Sequence, residues 1–389
     1  MIANFLNSPE FKKKFEIKFI YRRSDEYEKG LFRRLKHKDD YDLSPIYLFN
    51  TLAFNYSKNR FISIFQKIFT VLPILLSKYF SILANTFILF GHFKKINPDI
   101  IHINNGGYPA ASSCYSAVFA AKFLGVEKIV YVVNNMAEGY KHPFRWFDYA
   151  LDIFVVRWVS VFITGSSNAG HQLKKVLRLR ESQHRVINNG IMPRKVLLEK
   201  KCFLKKYSMS YSNKIIASVI ANLEPRKGHI YLLRAIKKIN EENKSNEFFF
   251  VIEGEGPLKN QIDSYINEND LYNVKTIERV ENIFDLINAS DFIILPSISH
   301  EDFPNVVVEA FSLGKPVIGS KIAGIPEQID HDINGILVSP KKVEELTGAI
   351  QLLKDKSLIH SYGKNAKIKF DSYYNVNIAV NNYVKLYDN

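Results

Sequence analysis

Residues 300–319, HEDFPNVVVEAFSLGKPVIG, decide how the rest of the chain is read. Asn305 is a good N-cap, 306–313 reads as a short helix, and Gly314 supplies a left-handed stop before Lys315-Pro316. Three successive valines are poor helix formers, so such a helix depends on burial in a core. With Asn305 as cap the third helical position is Val308, which leaves Glu309 one place too late for a capping box. A carboxylate in a buried helix needs a partner, because an unpaired buried charge is costly. That partner is either a nearby lysine, with help from the helix dipole, or a vicinal diol such as a ribose offers. Glu301, in the preceding loop, raises the same question. The start of a helix suits phosphate, and two carboxylates beside a phosphate must point past it toward neutral hydroxyls. Such an arrangement fits a nucleoside diphosphate sugar, with Glu301 on the sugar, the amides of Asn305 and Val306 on the diphosphate, and Glu309 on the ribose.

Outward from this stretch, apolar runs alternate with helical patterns, the signature of parallel α/β layers. FEIKFIYR, PDIIHIN, KIVYVVNN and SVFITGS read as strands of a first half. After the turn-rich joint Asn188-Asn189-Gly190-Ile191, a second series follows: KIIASVIANL, NEFFFVIEG, VKTIERV, DFIILPS, KPVIGSK and GILVSP. The expectation is α/β: two facing, doubly wound, Rossmann-like domains with a cleft between them and ligands at the carboxyl ends of the strands. The domains are placed at 1–188 and 189–370, with 371–389 as a terminal helix packing back toward the first. The chain opens on a helical pattern, MIANFLNSPEFKKKF, where a doubly wound domain usually opens on a strand; either the first domain lacks its usual first strand or its sheet is built differently.

A length of 389 residues, 47% hydrophobic and 24% charged, is globular composition on a two-domain scale. Cys114 and Cys202 are far apart and lack metal-ligand spacing, which points to a reducing cytoplasm rather than a disulfide framework. The formal charge of +14 lies mostly in scattered pairs and triplets, and without an RNA-recognition signature, zinc finger or basic heptad array, nucleic acid is not an expected partner. No secretory leader is read at the start. Residues 71–90, VLPILLSKYFSILANTFILF, nearly match a bilayer in length, but Lys78, Asn85, two serines and Pro73 interrupt them. They read as a buried or interfacial helix, with peripheral contact at the inner membrane face as the partner expectation.

Two further turns carry chemistry. ANLEPRKGHIYLLRAI sets Arg226, Lys227 and Gly228 between a strand and a helix, where cations can neutralise a leaving diphosphate. VIEGEGPL adds Gly254 and Gly256 at a second strand-to-helix turn, without the third glycine of a dinucleotide fingerprint, so NAD is not expected.

In combination these residues resemble glycosyltransferase family 4, retaining enzymes of the GT-B fold, over nearly the whole chain and most strongly over 215–353. Glu301 to Glu309 resembles the family's Glu-x7-Glu motif. The stretch GKPVIGSKIAGIPEQIDHDINGILV resembles its closing segment through Gly314, Pro316, Gly324, Glu327, Asn334 and Gly335. Lys227-Gly228 and 254–257 resemble its Lys-Gly and GDGP-like turns. The resemblance implies a metal-independent transferase with no cofactor, the nucleotide sugar being the co-substrate. Within it, the first Glu contacts the donor sugar and the second the ribose, and the departing diphosphate helps remove the acceptor proton on the same face. Asp302 stands where the motif variant has Gly, while Ala221 and Asn222 replace a Gly and an Arg, so that Arg226 is the candidate to supply the missing cation. PDIIH resembles the family's PDVVH strand and Asn134-Asn135 fall where many members carry a His; Asn134 can hydrogen-bond a hydroxyl but cannot act as a base. Asp330-His331-Asp332 matches a metal-binding Asp-x-Asp only formally and reads as turn chemistry.

The reading that results is transfer of a sugar, UDP-linked, to a saccharide or lipid-linked acceptor in surface polysaccharide synthesis. Glu301 and Asn134 are placed in catalysis, and Arg226, Lys227, Glu301, Asn305, Val306 and Glu309 on the donor. His102, Asn135 and His142 are acceptor-side candidates, with His102 also readable as structural. The alternatives are a nucleotide-sugar-binding subunit with weakened turnover and a sugar-nucleotide epimerase on the same fold.

Overall fold

The computed structural model describes residues 2–35, 41–52, 60–109, 111–141, 143–209, 213–242, 247–299 and 301–388. The chain divides into two compact units, one of 2–165, 169–187 and 383–389, the other of 166–168 and 188–382. The end of the terminal helix, from Tyr383 on, thus groups with the first unit, where Tyr383 packs edge-on against Phe5 and Lys14 pairs with Asp388 at 3.0 Å.

In the first unit β1 (Lys18–Arg22) and β2 (Asp42–Ile46) form a two-stranded parallel sheet of their own. The main sheet runs β3 (Ile100–Asn105), β4 (Lys128–Val133), β5 (Val161–Thr164) and β6 (His184–Val186) in sequential order, all parallel. FEIKFIYR, expected among the main strands, pairs instead with β2, a DLSPI segment whose proline and polar residues gave no strand signal. The helix Ser112–Leu124 covers the main sheet with Val118, Ala120 and Ala121, and Gly125 ends it in the left-handed conformation at φ 86°.

The helix Arg60–Ile96 contains the 71–90 stretch. Leu75, Ile82, Leu89 and Phe93 are buried, while Leu72, Leu76, Phe80, Leu83 and Phe87 are exposed, Phe87 to 69%. The interrupting polar residues serve the fold. Asn85 Oδ1 accepts from the Phe49 amide at 2.8 Å and Asn85 Nδ2 donates to the Phe49 carbonyl at 3.0 Å. Ser77 accepts from the Leu52 amide at 3.0 Å, and Lys78 pairs with buried Asp148.

Asp148 belongs to a buried charged cluster. Asp152 accepts from the hydroxyls of Tyr108 (2.8 Å), Tyr115 (2.8 Å) and Tyr140 (2.5 Å) and pairs with Arg145 at 2.5 Å, while Arg145 also lies 3.3 Å from Asp148. Burial pushes the Tyr108 and Tyr115 hydroxyls well above the ordinary tyrosine range, so both remain donors to the carboxylate. Asp152→Ala leaves Arg145 and three hydroxyls without their acceptor in a dry site, and should cost about 3–5 kcal/mol. Urea unfolding checks it; a loss under about 1 kcal/mol would show that the cluster does not hold the unit together.

In the second unit β7 (Ile215–Ile220), β8 (Phe248–Glu253), β9 (Val274–Ile277), β10 (Phe292–Leu295), β11 (Val317–Ser320) and β12 (Gly335–Val338) form one parallel sheet in the order β12-β11-β10-β7-β8-β9. The strands read as nearly continuous apolar runs because helices cover both faces, and all six residues of β8 are buried. This is the doubly wound order, in which the chain winds outward from β7 in one direction and from β10 in the other. The two strands are neighbours, so the loops that leave them diverge and open a crevice at their carboxyl ends.

The short helix is Asn305–Ser312, one residue earlier than the sequence suggests, with Pro304 at the cap position. Proline's fixed φ, here −61° with ψ 122°, holds the extended entry, and the Asn305 side chain accepts from Asn189 Nδ2 at 3.3 Å in place of capping. The expected stop is present. Gly314 has φ 64°, and the Gly314 and Lys315 amides donate to Phe311 and Ala310, each at 3.0 Å, as in a Schellman motif.

Candidate functional site

The crevice between β7 and β10 is closed at its base by backbone. The turn Pro225–Lys227 ends in Gly228 at φ 73°, and a Cβ there would stand 2.0 Å from the Pro296 carbonyl oxygen. Only glycine permits that approach. The Ile298 amide then donates to the Arg226 carbonyl at 2.8 Å, joining the turn after β7 to the loop after β10. This join brings Lys227 against Glu301, 74 residues further along the chain.

Glu301 is 6% exposed. Lys227 Nζ contacts its Oε1, Ser297 Oγ donates to the same oxygen at 2.8 Å, and the Arg226 guanidinium lies 3.5 Å from it. All three of these contacts fall on Oε1. Arg226 also pairs with Glu224 at 2.8 Å. Asp302 is tied by Ser166 Oγ, and a Cβ on Gly324 would stand 2.0 Å from the Asp302 carbonyl oxygen. The additional charge at 302 is therefore engaged within the loop packing. Glu327, singled out in the closing segment, accepts from the amides of Ser167 (2.8 Å) and Asn168 (2.9 Å).

Two residues enter that sequence reading did not select. Glu253 ends β8, is buried, and accepts from the Val280 amide at 3.0 Å. Burial above all raises its carboxyl from the ordinary value, and the nearby charges of Glu255 and Glu309 add to the rise. Glu253 and Glu309 thus feel one another across the carboxyl edge of the sheet. Arg279 donates to Asn222 Oδ1 at 3.0 Å and lies 3.8 Å from Glu255. A cation does stand beside Asn222, but it comes from the loop after β9. The signals available were a lone glutamate closing the FFFVIE run and a lone arginine closing VKTIER.

Glu309 lies in the second turn of its helix, half-buried; Asn305 and Val306 open it, exposed and half-buried. The remaining candidates lie in the first unit. Asn134 follows β4 and donates from Nδ2 to Asn104 Oδ1 (3.0 Å) and the Asn105 carbonyl (2.7 Å), while Asn135 Oδ1 accepts from the Met136 amide at 2.8 Å. His102 sits among Phe5, Tyr383 and Tyr387, with Nδ1 against the Tyr387 hydroxyl. His142 lies outside the described residues. Asp330 to Asp332 form a turn with Asp332 at φ 60°, and Lys369 binds both Asp330 oxygens at 2.8 and 2.9 Å.

Paired parallel α/β units with the second wound about a charged crevice define the GT-B class of transferases. The family "Glycosyl transferases group 1" matches residues 203–369, and "Glycosyltransferase Family 4" matches residues 51–195. The Escherichia coli UDP-Gal:alpha-D-GlcNAc-diphosphoundecaprenol alpha-1,3-galactosyltransferase is 25% identical over 315 residues, 77% of each chain. Among solved structures, a Rickettsia africae glycosyltransferase aligns at TM-score 0.72 with 20% identity, over 99% of this chain and 93% of that one. Anabaena HepE in complex with UDP and glucose aligns at TM-score 0.73 with 15% identity, over 100% and 94%. Together the two family models span most of the chain, which is a glycosyltransferase of family 4 type, an enzyme of the GT-B fold.

His229, the residue after Gly228, gives the site unit a pH dependence. It is buried, neither ring nitrogen has a hydrogen-bond partner, and burial lowers its pKa to about 4, with the Lys227 charge adding to the shift. The unfolded chain takes up a proton here below about pH 6.5 and the folded chain only near 4, so stability is full above 6.5 and falls as the pH drops through this window. The loss should reach about 3 kcal/mol at its lower end, and His229→Leu should flatten the fall in urea midpoint between pH 7 and 5. Parallel wild-type and variant curves would remove His229 as its source.

Proposed function

We propose that the enzyme transfers a sugar, with retention and without a metal, from a UDP-sugar to a saccharide or lipid-linked acceptor of surface polysaccharide synthesis, working in the cytoplasm at the membrane face. The observation that carries this reading is the cluster of Lys227, Arg226 and Ser297 on one oxygen of Glu301, beside the start of the helix Asn305–Ser312. Two cations within reach of a helix start suit a diphosphate, and as it departs they neutralise the charge that a metal neutralises elsewhere. Glu301 holds Lys227 in place through Oε1 and accepts from a donor-sugar hydroxyl. Glu309, half-buried in the second turn of that helix, is assigned to the ribose diol. Asn134 and Asn135, at the carboxyl end of β4, are assigned to hydroxyls on the acceptor side. The name of the Escherichia coli relative specifies a UDP-sugar donor and a lipid-linked acceptor, and the Anabaena structure holds UDP and glucose; both support the UDP assignment here.

Glu309→Ala should weaken UDP binding about tenfold in calorimetry, the equivalent of one lost charge-assisted hydrogen bond, with an unchanged melting temperature. Glu301→Gln should lower turnover about a hundredfold while UDP affinity stays within about threefold. Unchanged UDP affinity in the first variant removes the ribose assignment, and wild-type turnover in the second removes Glu301 from the reacting centre.

The membrane assignment rests on the outward face of Arg60–Ile96. Phe80 packs on exposed Phe49, and Tyr79 donates to the carbonyl of exposed Phe147, beside exposed Trp146, so the apolar stripe continues onto neighbouring segments. The stretch Thr70–Ile96 is long and apolar enough to cross a bilayer, but its inward face fills the core of this unit, which favours lying in the interface. Wild-type protein should float with phosphatidylglycerol vesicles, whereas Phe80→Glu/Phe87→Glu should remain in the aqueous layer. Equal flotation of the two would rule this face out.

A further inference from the structure

A cavity of about 560 Å³ opens at the amino edge of the second unit's sheet. Six lysines line it: Lys200, Lys214, Lys315, Lys356, Lys364 and Lys367. The single carboxylate in its wall, Asp291, is already engaged, since both its oxygens pair with Lys200 at 2.9 Å and one also accepts from the Ile216 amide at 2.8 Å.

The placement follows from the fold. Lys214, Asp291 and Lys315 come just before β7, β10 and β11, whereas Lys227, Glu253 and Glu301 come at or after the ends of β7, β8 and β10. Four residues of β10 at about 3.3 Å each separate the two edges, so a ligand in this cavity is not in contact with the donor residues. The opposite wall is the helix Lys356–Lys369, whose residues 356, 360, 363, 364 and 367 fall on one face. Gly363 lets this helix lie against the stop after Asn305–Ser312, where a Cβ would stand 2.2 Å from the Gly314 carbonyl oxygen.

A row of lysines on a convex helix is commonly a solvated face with acidic partners one turn away, and Lys367 does pair with Asp371 at 2.6 Å. Lys356, His360 and Lys364 make no such pair among the described residues. Here the cations face a concavity shared with three loop ends, where their mutual repulsion is screened less than on an open surface. Lys315 reaches the Asn288 carbonyl at 3.2 Å, and burial lowers its ammonium from the ordinary lysine value, so an added anion would relieve a poorly solvated charge.

We infer that this cavity is a second anion site, which binds a small compound bearing two or more phosphate charges. Its volume lies within the range of small-ligand pockets, and lysines serve as point charges for phosphate. The ligand is either a soluble polyphosphate compound or the phosphorylated headgroup of a lipid. The inference does not depend on the donor assignment.

The test titrates inorganic tripolyphosphate into the full chain in the presence of excess UDP. One binding event is expected, weakened at least about tenfold in Lys356→Gln/Lys364→Gln and unchanged in Lys94→Gln/Lys95→Gln, an exposed pair on Arg60–Ile96. No binding to the wild type, equal affinity in the Lys356/Lys364 variant, or an equal loss in the control pair overturns the site. Should UDP itself fail to bind, the donor reading fails alone, because the variant comparison reads the lysine cavity directly. Vesicles carrying about one-fifth phosphatidylinositol phosphate separate the sources: displacement by tripolyphosphate, with weaker binding of the Lys356/Lys364 variant, supports a headgroup, and indifference to both supports a soluble ligand.

Discussion

The second unit depends on a backbone contact, the approach of Gly228 to the Pro296 carbonyl and the hydrogen bond from Ile298 to Arg226 beside it. In a doubly wound sheet the loops after the two central strands leave in opposite directions, and nothing in the sheet itself brings their side chains together. The glycine contact supplies that link. It lets the turn after β7 rest on the end of β10, and Lys227 then meets Glu301 across a sequence separation of 74 residues. Any side chain at 228 would hold the two loops apart by the width of a methyl group, more than the Lys227–Glu301 contact tolerates.

An ion pair this deeply buried is seldom kept for stability alone, since desolvating both partners offsets most of their attraction. Its arrangement here suggests what the cost achieves. Glu301 fixes Lys227 and draws in Arg226 while using one oxygen, so that, on the proposed reading, two cations stand in position before a diphosphate arrives. Preorganised charge of that kind does not have to be assembled during the reaction. Glu253, buried at the end of β8, is held by the Val280 amide, and burial raises its carboxyl from the ordinary value.

Which parts of this were legible in the sequence follows from the range of the forces involved. The six strands of the second unit are runs such as FFFVIE and FIIL, buried on both faces, and local composition identifies them. Gly314 as a helix stop and Gly228 as a turn glycine are equally local. β2 was not legible, because DLSPI owes its strand conformation to pairing with β1. The cap position moved to Pro304 because Asn305 found a partner at Asn189, over 100 residues away. Arg279 escaped for the same reason: its tie to Asn222 joins the loops after β7 and β9, on either side of β8, and no spacing rule in a single sequence encodes it. Glu309 stood out because a carboxylate after three valines is a local anomaly, and Glu301 because it precedes that helix start in the loop, yet neither feature could show that lysine and arginine hold Glu301.

The polar interruptions of the 71–90 stretch show how a bilayer-length apolar segment is kept as a packed helix. Lys78 is drawn inward by Asp148, which Arg145 also faces, and Asn85 satisfies both backbone groups of Phe49. Each would be expensive in hydrocarbon, and each has its partner inside the unit. The inward face is thereby committed to protein, and the outward face, where Leu72, Leu76, Phe80, Leu83 and Phe87 meet solvent, carries none of these polar groups. A helix divided in this way has polar contacts to lose by leaving its unit and apolar area to gain by resting against a lipid surface. That balance favours lying along a membrane over crossing it.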